Sequence, residues 1–249
     1  LNPDEHPYFA DVAQLKVSSH LLIDRLGNIV QFVPFHQRAW HAGVSEFEGR
    51  ENCNDFSIGI EMEGADHIAY TPAAIEHVRK EIGDHQAIIG FAGSPWTLAS
   101  FMVEGGSSSD NLRSRALIHE KPDLFNALLE KITYVTIAYL QAQIDAGADA
   151  LQLFDSQGGT LPQANYWDFS GSWMQQIIHA LGDQVPITVF GRGVHHNWDE
   201  LIATGADALS IDWNIDLPRL SQQLPDHIAL QGNLDPALLT AAPEVAAEK

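Results

Sequence analysis

The 249-residue chain has one cysteine, Cys53. A single thiol excludes an internal disulfide framework and any cysteine-rich metal cluster. No run reaches the ~18 consecutive apolar residues that a membrane span requires, and the first residues, LNPDEHPYF, contain neither a basic nor an apolar stretch. The expectation is a protein without signal peptide or membrane span, working in the reducing cytoplasm. Positive charge is also scarce: 13 Lys and Arg stand against 33 Asp and Glu, a formal charge of −20, and none occurs from Ile132 through Gly191. Such a chain repels nucleic acid and anionic membranes, which excludes both as partners. A polyanionic substrate would need individually placed arginines. What is plentiful is apolar residues, 45% of the chain, enough for one large α/β core or two smaller ones.

Up to Gly64 the chain is rich in short strand patterns, histidine and tryptophan. His20 to Arg25 and Ile29 to Val33 are two apolar runs joined through Leu26-Gly27-Asn28, a hairpin signal in which Gly27 can take the positive φ of the turn. Phe56 to Ile60 is a third strand candidate, followed by Glu61 and Glu63, which period-two alternation places on one face with Met62 on the other. Paired carboxylates can divide general-acid and general-base roles, although acidic side chains at a strand end are more often simply solvated. Four histidines, His6, His20, His36 and His41, raise the question of zinc, but their spacing matches no short ligand motif. Trp40-His41-Ala42-Gly43 reads either as a loop placing an aromatic on a groove or as a packed structural tryptophan.

The stretch DEHPYFADVAQLKVSSHLLIDRLGNIVQFVPFHQRAWHAGVSEFEGRENCNDFSIGIEMEG closely resembles the middle of the cytoplasmic AmpD-type N-acetylmuramoyl-L-alanine amidases. In that family a zinc ion polarises the lactyl amide and a glutamate acts on the attacking water. The resemblance implies the glutamate role for Glu61, and a peptidoglycan-fragment groove lined by His20, Arg38, Trp40 and His41. It also implies zinc as cofactor, but the family's zinc ligands come from an earlier strand and from a later stretch resembling GHSDIAPGRKTDPG. Neither is found in these residues, so no metal ligand is assigned, and a glutamate without its metal lacks the Lewis-acid half of amide hydrolysis.

From Ile88 onward strands alternate with helices. The expected strands are Ala87 to Phe91, Ala150 to Phe154, Ile187 to Phe190, Ala208 to Ile211 and Ile228 to Leu230. The expected helices are Leu98 to Glu104, Pro122 to Ala146, Tyr166 to Leu181, Trp198 to Thr204 and Pro218 to Gln223, with another over about Pro72 to Ile82 joining the two parts. Pro95 fits the first turn of the helix it precedes, and Gly147 is a C-cap candidate. Near-continuous apolar strands with helical crossovers predict a parallel sheet covered by helices. Polar residues recur at the strand ends: Gly93-Ser94, Asp155-Ser156-Gln157, Arg192, Asp212-Trp213 and Gln231-Gly232-Asn233. In a (β/α) barrel that is the face where chemistry sits. Any one of them can be a cap, and for Ser94 and Asp235 capping is the stronger reading. Gly105-Gly106 and Gly158-Gly159 lack the spacing of a phosphate loop or a dinucleotide fingerprint, so no nucleotide cofactor is implied.

Four motifs in order, IIGFAGSPWTLASFMVEGGSS, DALQLFDSQGG, ALSIDW and IALQGNLDP, resemble the uroporphyrinogen decarboxylases. The resemblance runs from about Ile75 to Lys249 and implies strands three to seven of an eight-stranded (β/α) TIM barrel, usually homodimeric, without metal or organic cofactor. The substrate would be a tetrapyrrole whose acetate groups are decarboxylated. By the same resemblance Ser156, Gln157, Arg192 and Asp212 belong to the substrate site, and Phe101 stands where the family has a substrate-facing tyrosine. The family's arginines and catalytic aspartate lie in first- and second-strand motifs, RQAGRY and FSD, which are not found in this sequence.

The expected architecture is therefore α/β: a partial amidase-like mixed α/β segment over residues 1–72, then an incomplete (β/α)8 barrel segment over 73–249. A barrel without strands one, two and eight has two open edges, which predicts little or no turnover and a tendency to aggregate. Three functions stay open: a decarboxylase-derived segment acting on a tetrapyrrole, an amidase-derived one acting on a muropeptide, and a non-catalytic scaffold.

Overall fold

The computed structural model describes residues 21–23, 29–31, 33, 46–47, 50–51, 60–62, 70–83 and 86–237. The chain divides into two compact units, Leu1–Ala69 with Asp123–Leu128, and Tyr70–Pro122 with Leu129–Lys249.

In the first unit, β1 (Leu21–Ile23) pairs antiparallel with β2 (Ile29–Gln31), in the register Leu21 to Gln31 and Ile23 to Ile29. The two apolar runs thus form the expected hairpin ladder; its turn lies outside the described residues. A two-stranded ladder, β3 (Glu46–Phe47) with β4 (Arg50–Glu51), carries no apolar alternation and was not anticipated. Strand β5, Ile60–Met62, runs parallel to β1 with Glu61 opposite Leu22; it shares only Ile60 with the expected Phe56 to Ile60, whose other residues lie outside the described ones. Glu61 is therefore inside a strand and not just beyond its end as expected.

The second unit begins with α1 (Tyr70–Ile82). Arg79 of α1 donates to the carbonyls of Gly147 and Gly83 at 2.8 and 2.7 Å, and it pairs with Asp149. The backbone N–H of Ile88 also donates to Asp149, at 2.7 Å. That bond, then the guanidinium, holds the Asp149 carboxyl below its ordinary range.

Five strands follow: β6 (Ile89–Gly93), β7 (Ala150–Asp155), β8 (Ile187–Gly191), β9 (Ala208–Ile211) and β10 (Ala229–Gln231). All neighbours are parallel and spatial order equals sequence order, the progression of a (β/α) barrel wall. Gly90, Leu151 and Ile187 share one face in register, and Ala92, Leu153, Val189 and Leu209 share the next row of that face. These residues are buried. They pack under helices that include α2 (Pro95–Glu104), α4 (Pro122–Asp145), α6 (Ser172–Leu181) and α7 (Trp198–Ala203), whose Trp96, Leu140, Ile177 and Leu201 are buried with them. The opposite face carries Phe91, Phe154 and Phe190, with successive ring centroids 5.8 Å apart. Phe91 is 59% exposed, and Phe154 and Phe190 are half-buried.

The outer edge of β6 is closed by a side chain. Gln143 of α4, itself buried, accepts from Phe91 N at 2.9 Å and donates to Phe91 O at 3.1 Å, as a neighbouring strand would.

The element limits that differ from the expected ones differ by one to three residues, some outward and some inward. The first strand lies at Ile89–Gly93 where Ala87 to Phe91 was expected, and the helix after it starts at Pro95, three residues early. The Ser94 hydroxyl accepts from Thr97 N at 3.1 Å, and that cap makes Pro95 an ordinary first-turn residue. Pro122–Asp145 ends one residue before the expected Ala146, with Gly147 at φ 105° beyond it. The helix expected over Tyr166 to Leu181 is in fact α5 (Gln163–Tyr166), a π turn (Trp167–Gly171) and α6. A Cβ on Gly171 would lie 2.7 Å from the Trp167 ring, so the widened turn depends on that glycine. The expected Pro218 to Gln223 helix is α8 (Leu217–Ser221), capped by Asp216. Helix α3 (Leu112–Glu120), with four of nine residues charged or histidine, has a weak apolar stripe and was not anticipated.

Candidate functional site

The parallel sheet brings the ends of β6 to β10 to one rim, and the polar residues lie there. Asp155, last residue of β7, is fully buried. Its Oδ1 accepts from Ser94 Oγ at 2.7 Å and Thr97 Oγ1 at 3.3 Å; its Oδ2 accepts from Tyr166 OH at 2.8 Å and Ser170 Oγ at 2.9 Å. Burial pushes this carboxyl up, and the four hydroxyl bonds pull against it. Burial and the neighbouring Asp155 charge push the Tyr166 hydroxyl well above its usual range. Gly158 is required beside this cluster, since a Cβ there would lie 2.2 Å from Asp155 Oδ2.

Ser156 and Gln157 follow directly, both half-buried. Gln157 is held at four points. Its N–H donates to Thr97 Oγ1 at 3.2 Å, its carbonyl accepts from Trp96 Nε1 at 2.9 Å and Thr160 Oγ1 at 2.7 Å, and its Oε1 accepts from Asn111 Nδ2 at 2.9 Å. Asn111 is buried at φ 47°, a left-handed conformation that asparagine tolerates better than most residues. Anchored Asp155 and Gln157 thus hold Ser156 at a fixed place on the rim.

After β8, Arg192 is exposed, with its guanidinium 5.9 Å from the centroid of Trp213. After β9, Asp212 is buried and accepts from Gly193 N at 2.8 Å and Asn214 N at 2.9 Å, with His195 Nε2 at 3.7 Å. After β10, Asn233 Nδ2 donates to the carbonyls of Ile215 and Asp212 at 2.6 and 3.2 Å, joining the last two loops.

Of the residues singled out from sequence, the fold brings Ser156, Gln157, Arg192 and Asp212 to this rim. Phe101 is half-buried in the second turn of α2, not at a strand end. Ser94 is a cap as expected, and Asp235 Oδ1 accepts from Ala237 N at 2.9 Å. Glu61 belongs to the first unit, and His6, His20, His36, Arg38, Trp40, His41 and Glu63 lie outside the described residues. Among the described residues no three His, Cys, Asp or Glu side chains converge, so these offer no seat for the zinc that the amidase resemblance implies. Sequence reading missed Asn111, His195 and, apart from Ser94, the hydroxyls around Asp155. A weak signal existed: Thr97, Tyr166 and Ser170 are polar positions inside otherwise apolar helical faces.

A family model described as uroporphyrinogen decarboxylase matches residues 47–249, and one described as N-acetylmuramoyl-L-alanine amidase matches residues 1–88. The two matches overlap over 47–88. Uroporphyrinogen decarboxylase of Alkalilimnicola ehrlichii is 43% identical over 184 residues, 72% of this chain and 50% of that protein. The Pseudomonas savastanoi enzyme is 44% identical over 183 residues, 71% and 51% of the two. The chain thus spans about half the length of the curated relatives it matches. Among solved structures, a methyltransferase from Methanosarcina mazei superposes with a TM-score of 0.60 at 22% identity, over 69% of this chain and 51% of that one, a likeness of fold. A solved AmpD derivative is 51% identical over 32% of this chain and 49% of its own, with a TM-score of 0.22. Parallel strands in sequence order, polar loops on their C-terminal rim and a family match over most of the residues agree, and the chain belongs to the uroporphyrinogen decarboxylase family.

Proposed function

We propose that residues 73–249 form a tetrapyrrole-carboxylate site of the decarboxylase family that binds without turning substrate over. The observation that carries this is the gathering of Ser156, Gln157, Arg192 and Asp212 at the rim of one parallel sheet. Ser156 and Gln157 offer neutral donors to a carboxylate, and Arg192 offers a permanent charge. Decarboxylation needs more: protonation of a pyrrole, and an anion to stabilise the cation that forms. Asp155 is sealed among four hydroxyls and Asp212 is buried under two backbone N–H groups, so neither is free for that task. In this reading a small molecule is bound without metal or organic cofactor, in the cytoplasm, with a homodimer as the assembly. Incubated with uroporphyrinogen III, the chain should yield no coproporphyrinogen above the enzyme-free blank. Accumulation of coproporphyrinogen sinks the proposal.

The amidase match over residues 1–88 supports a second reading for residues 1–72, with Glu61 as the base and His20, Arg38, Trp40 and His41 along a muropeptide groove. Zinc would be its cofactor, with its ligand residues absent from the 249. Dialysis against zinc followed by metal analysis should return no stoichiometric zinc; one tightly held equivalent per chain favours this reading over the first.

A further inference from the structure

Arg192 is unusual in its surroundings. It is the first Lys or Arg after Lys131, and among the described residues no carboxylate pairs with it. A lone cation on a strongly acidic chain would ordinarily be drawn into an ion pair. Here its guanidinium instead lies over the indole of Trp213, which is 40% exposed. Stacking on an aromatic face leaves the planar fork of donors free for an incoming oxyanion. Three residues on, His195 is placed by Asp212, the residue immediately before Trp213. The Nε2 to Oδ2 distance of 3.7 Å is too long for a hydrogen bond but keeps the ring beside that carboxylate. The Asp212 carboxylate is already engaged by Gly193 N and Asn214 N, so it orients the ring without presenting a free charge to solvent. Among the described residues the other ring nitrogen, Nδ1, has no partner. Two basic side chains from the loop after β8 therefore converge on one dipeptide, Asp212-Trp213, at the end of β9.

We infer that Arg192, His195 and the open face of Trp213 form a subsite for a carboxylate carried on a flat aromatic ring. Arg192 grips the carboxylate through its fork, His195 supplies a second donor through Nδ1, and Trp213 lies under the ring. The inference rests on the tetrapyrrole-carboxylate reading and narrows it to the loops after β8 and β9, with three residues, Arg192, His195 and Trp213, that contact the ligand and one, Asp212, that positions His195.

The test uses the full chain and a small planar probe, trimesate (benzene tricarboxylate), with benzene trimethanol as its uncharged counterpart. Affinity is read by calorimetry, and the His195 ring signals are followed in proton–carbon correlation spectra. Trimesate should bind saturably and shift the His195 signals, and the uncharged probe should do neither. Arg192→Gln and His195→Gln should each weaken trimesate about tenfold, the loss of one charge-assisted contact. Absence of saturable binding, or affinity unchanged in both variants, overturns the subsite. Should His195→Gln disturb the far-ultraviolet spectrum, Arg192→Gln decides alone, because that side chain is exposed. Coproporphyrin III titrated in parallel separates the two levels. Equal binding of it to native protein and to Arg192→Gln overturns the subsite and leaves the tetrapyrrole reading standing. Trimesate bound while coproporphyrin is rejected does the reverse.

Discussion

Asp155 is the residue on which the rim depends. Its carboxyl meets hydroxyls from four positions, Ser94, Thr97, Tyr166 and Ser170, and no water reaches it. Replacing it with alanine leaves those hydroxyls buried without their acceptor. At about 1–3 kcal/mol for each buried group without a partner, Asp155→Ala should lose about 3 kcal/mol or more in urea unfolding. The titration of Asp155 gives a second, signed expectation. Burial raises its carboxyl above the ordinary 3.8, so the native state holds the proton more tightly than the unfolded chain. Its contribution is therefore greatest below the unfolded value, falls as pH rises through the raised native value and is level above that. Asp155→Asn cannot titrate, so the stability difference between native protein and this variant should fall across that window. A difference independent of pH would show that the site does not titrate between the two states. The sequence placed Asp155 at a strand end beside Ser156, but it could not reveal that the side chain faces the helices and not the rim opening. That follows from the pleat, which alternates faces along β7 and sends Asp155 the same way as Leu151 and Leu153.

At the scale of elements, the Phe91 backbone shows how an open sheet edge is satisfied. The amide of Gln143 takes both its N–H and its carbonyl. Gln143→Leu keeps the volume and removes both bonds, so about 2 kcal/mol of stability should be lost. Amide exchange at Phe91 should speed up by more than the global change accounts for; if only the global change appears, the bridge contributes nothing to the edge. The strands were legible because their apolar runs are bounded by glycine and polar clusters, as in ALQLFDSQGG and ALSIDW. Helix α4 was legible from its long stripe between Pro122 and Gly147. Less legible were α3, whose charged composition hides its buried Ser114 and Ile118, and the π turn, which depends on the packing of Gly171 on Trp167. Side-chain bridges such as Gln143 to Phe91 cross 52 residues, and no local pattern encodes them.

For the whole molecule, the balance lies between an apolar sheet face and a strongly acidic surface. Phe91, Phe154 and Phe190 form an uncharged aromatic row on the face that the helices do not cover. Exposed apolar area of this kind drives association, and a formal charge of −20 opposes it. Salt screens the charge and leaves the apolar attraction intact. Sedimentation at low ionic strength should therefore give a smaller species than at 0.5 M salt, roughly a Debye length of 4 Å. A size independent of salt would show that charge is not what limits association. The two-part character of the chain was legible from its motifs, since the hairpin and the (β/α) rhythm need different periods. The knot of hydroxyls on Asp155 has one more consequence. Its donors come from the start of α2, from α5 and from the π turn, which must all arrive before the carboxylate can leave water without penalty. An assembly with one of these segments misplaced would bury an unmet charge, so this one aspartate acts as a proofreader, making wrong arrangements of the wall expensive while the right one is still forming.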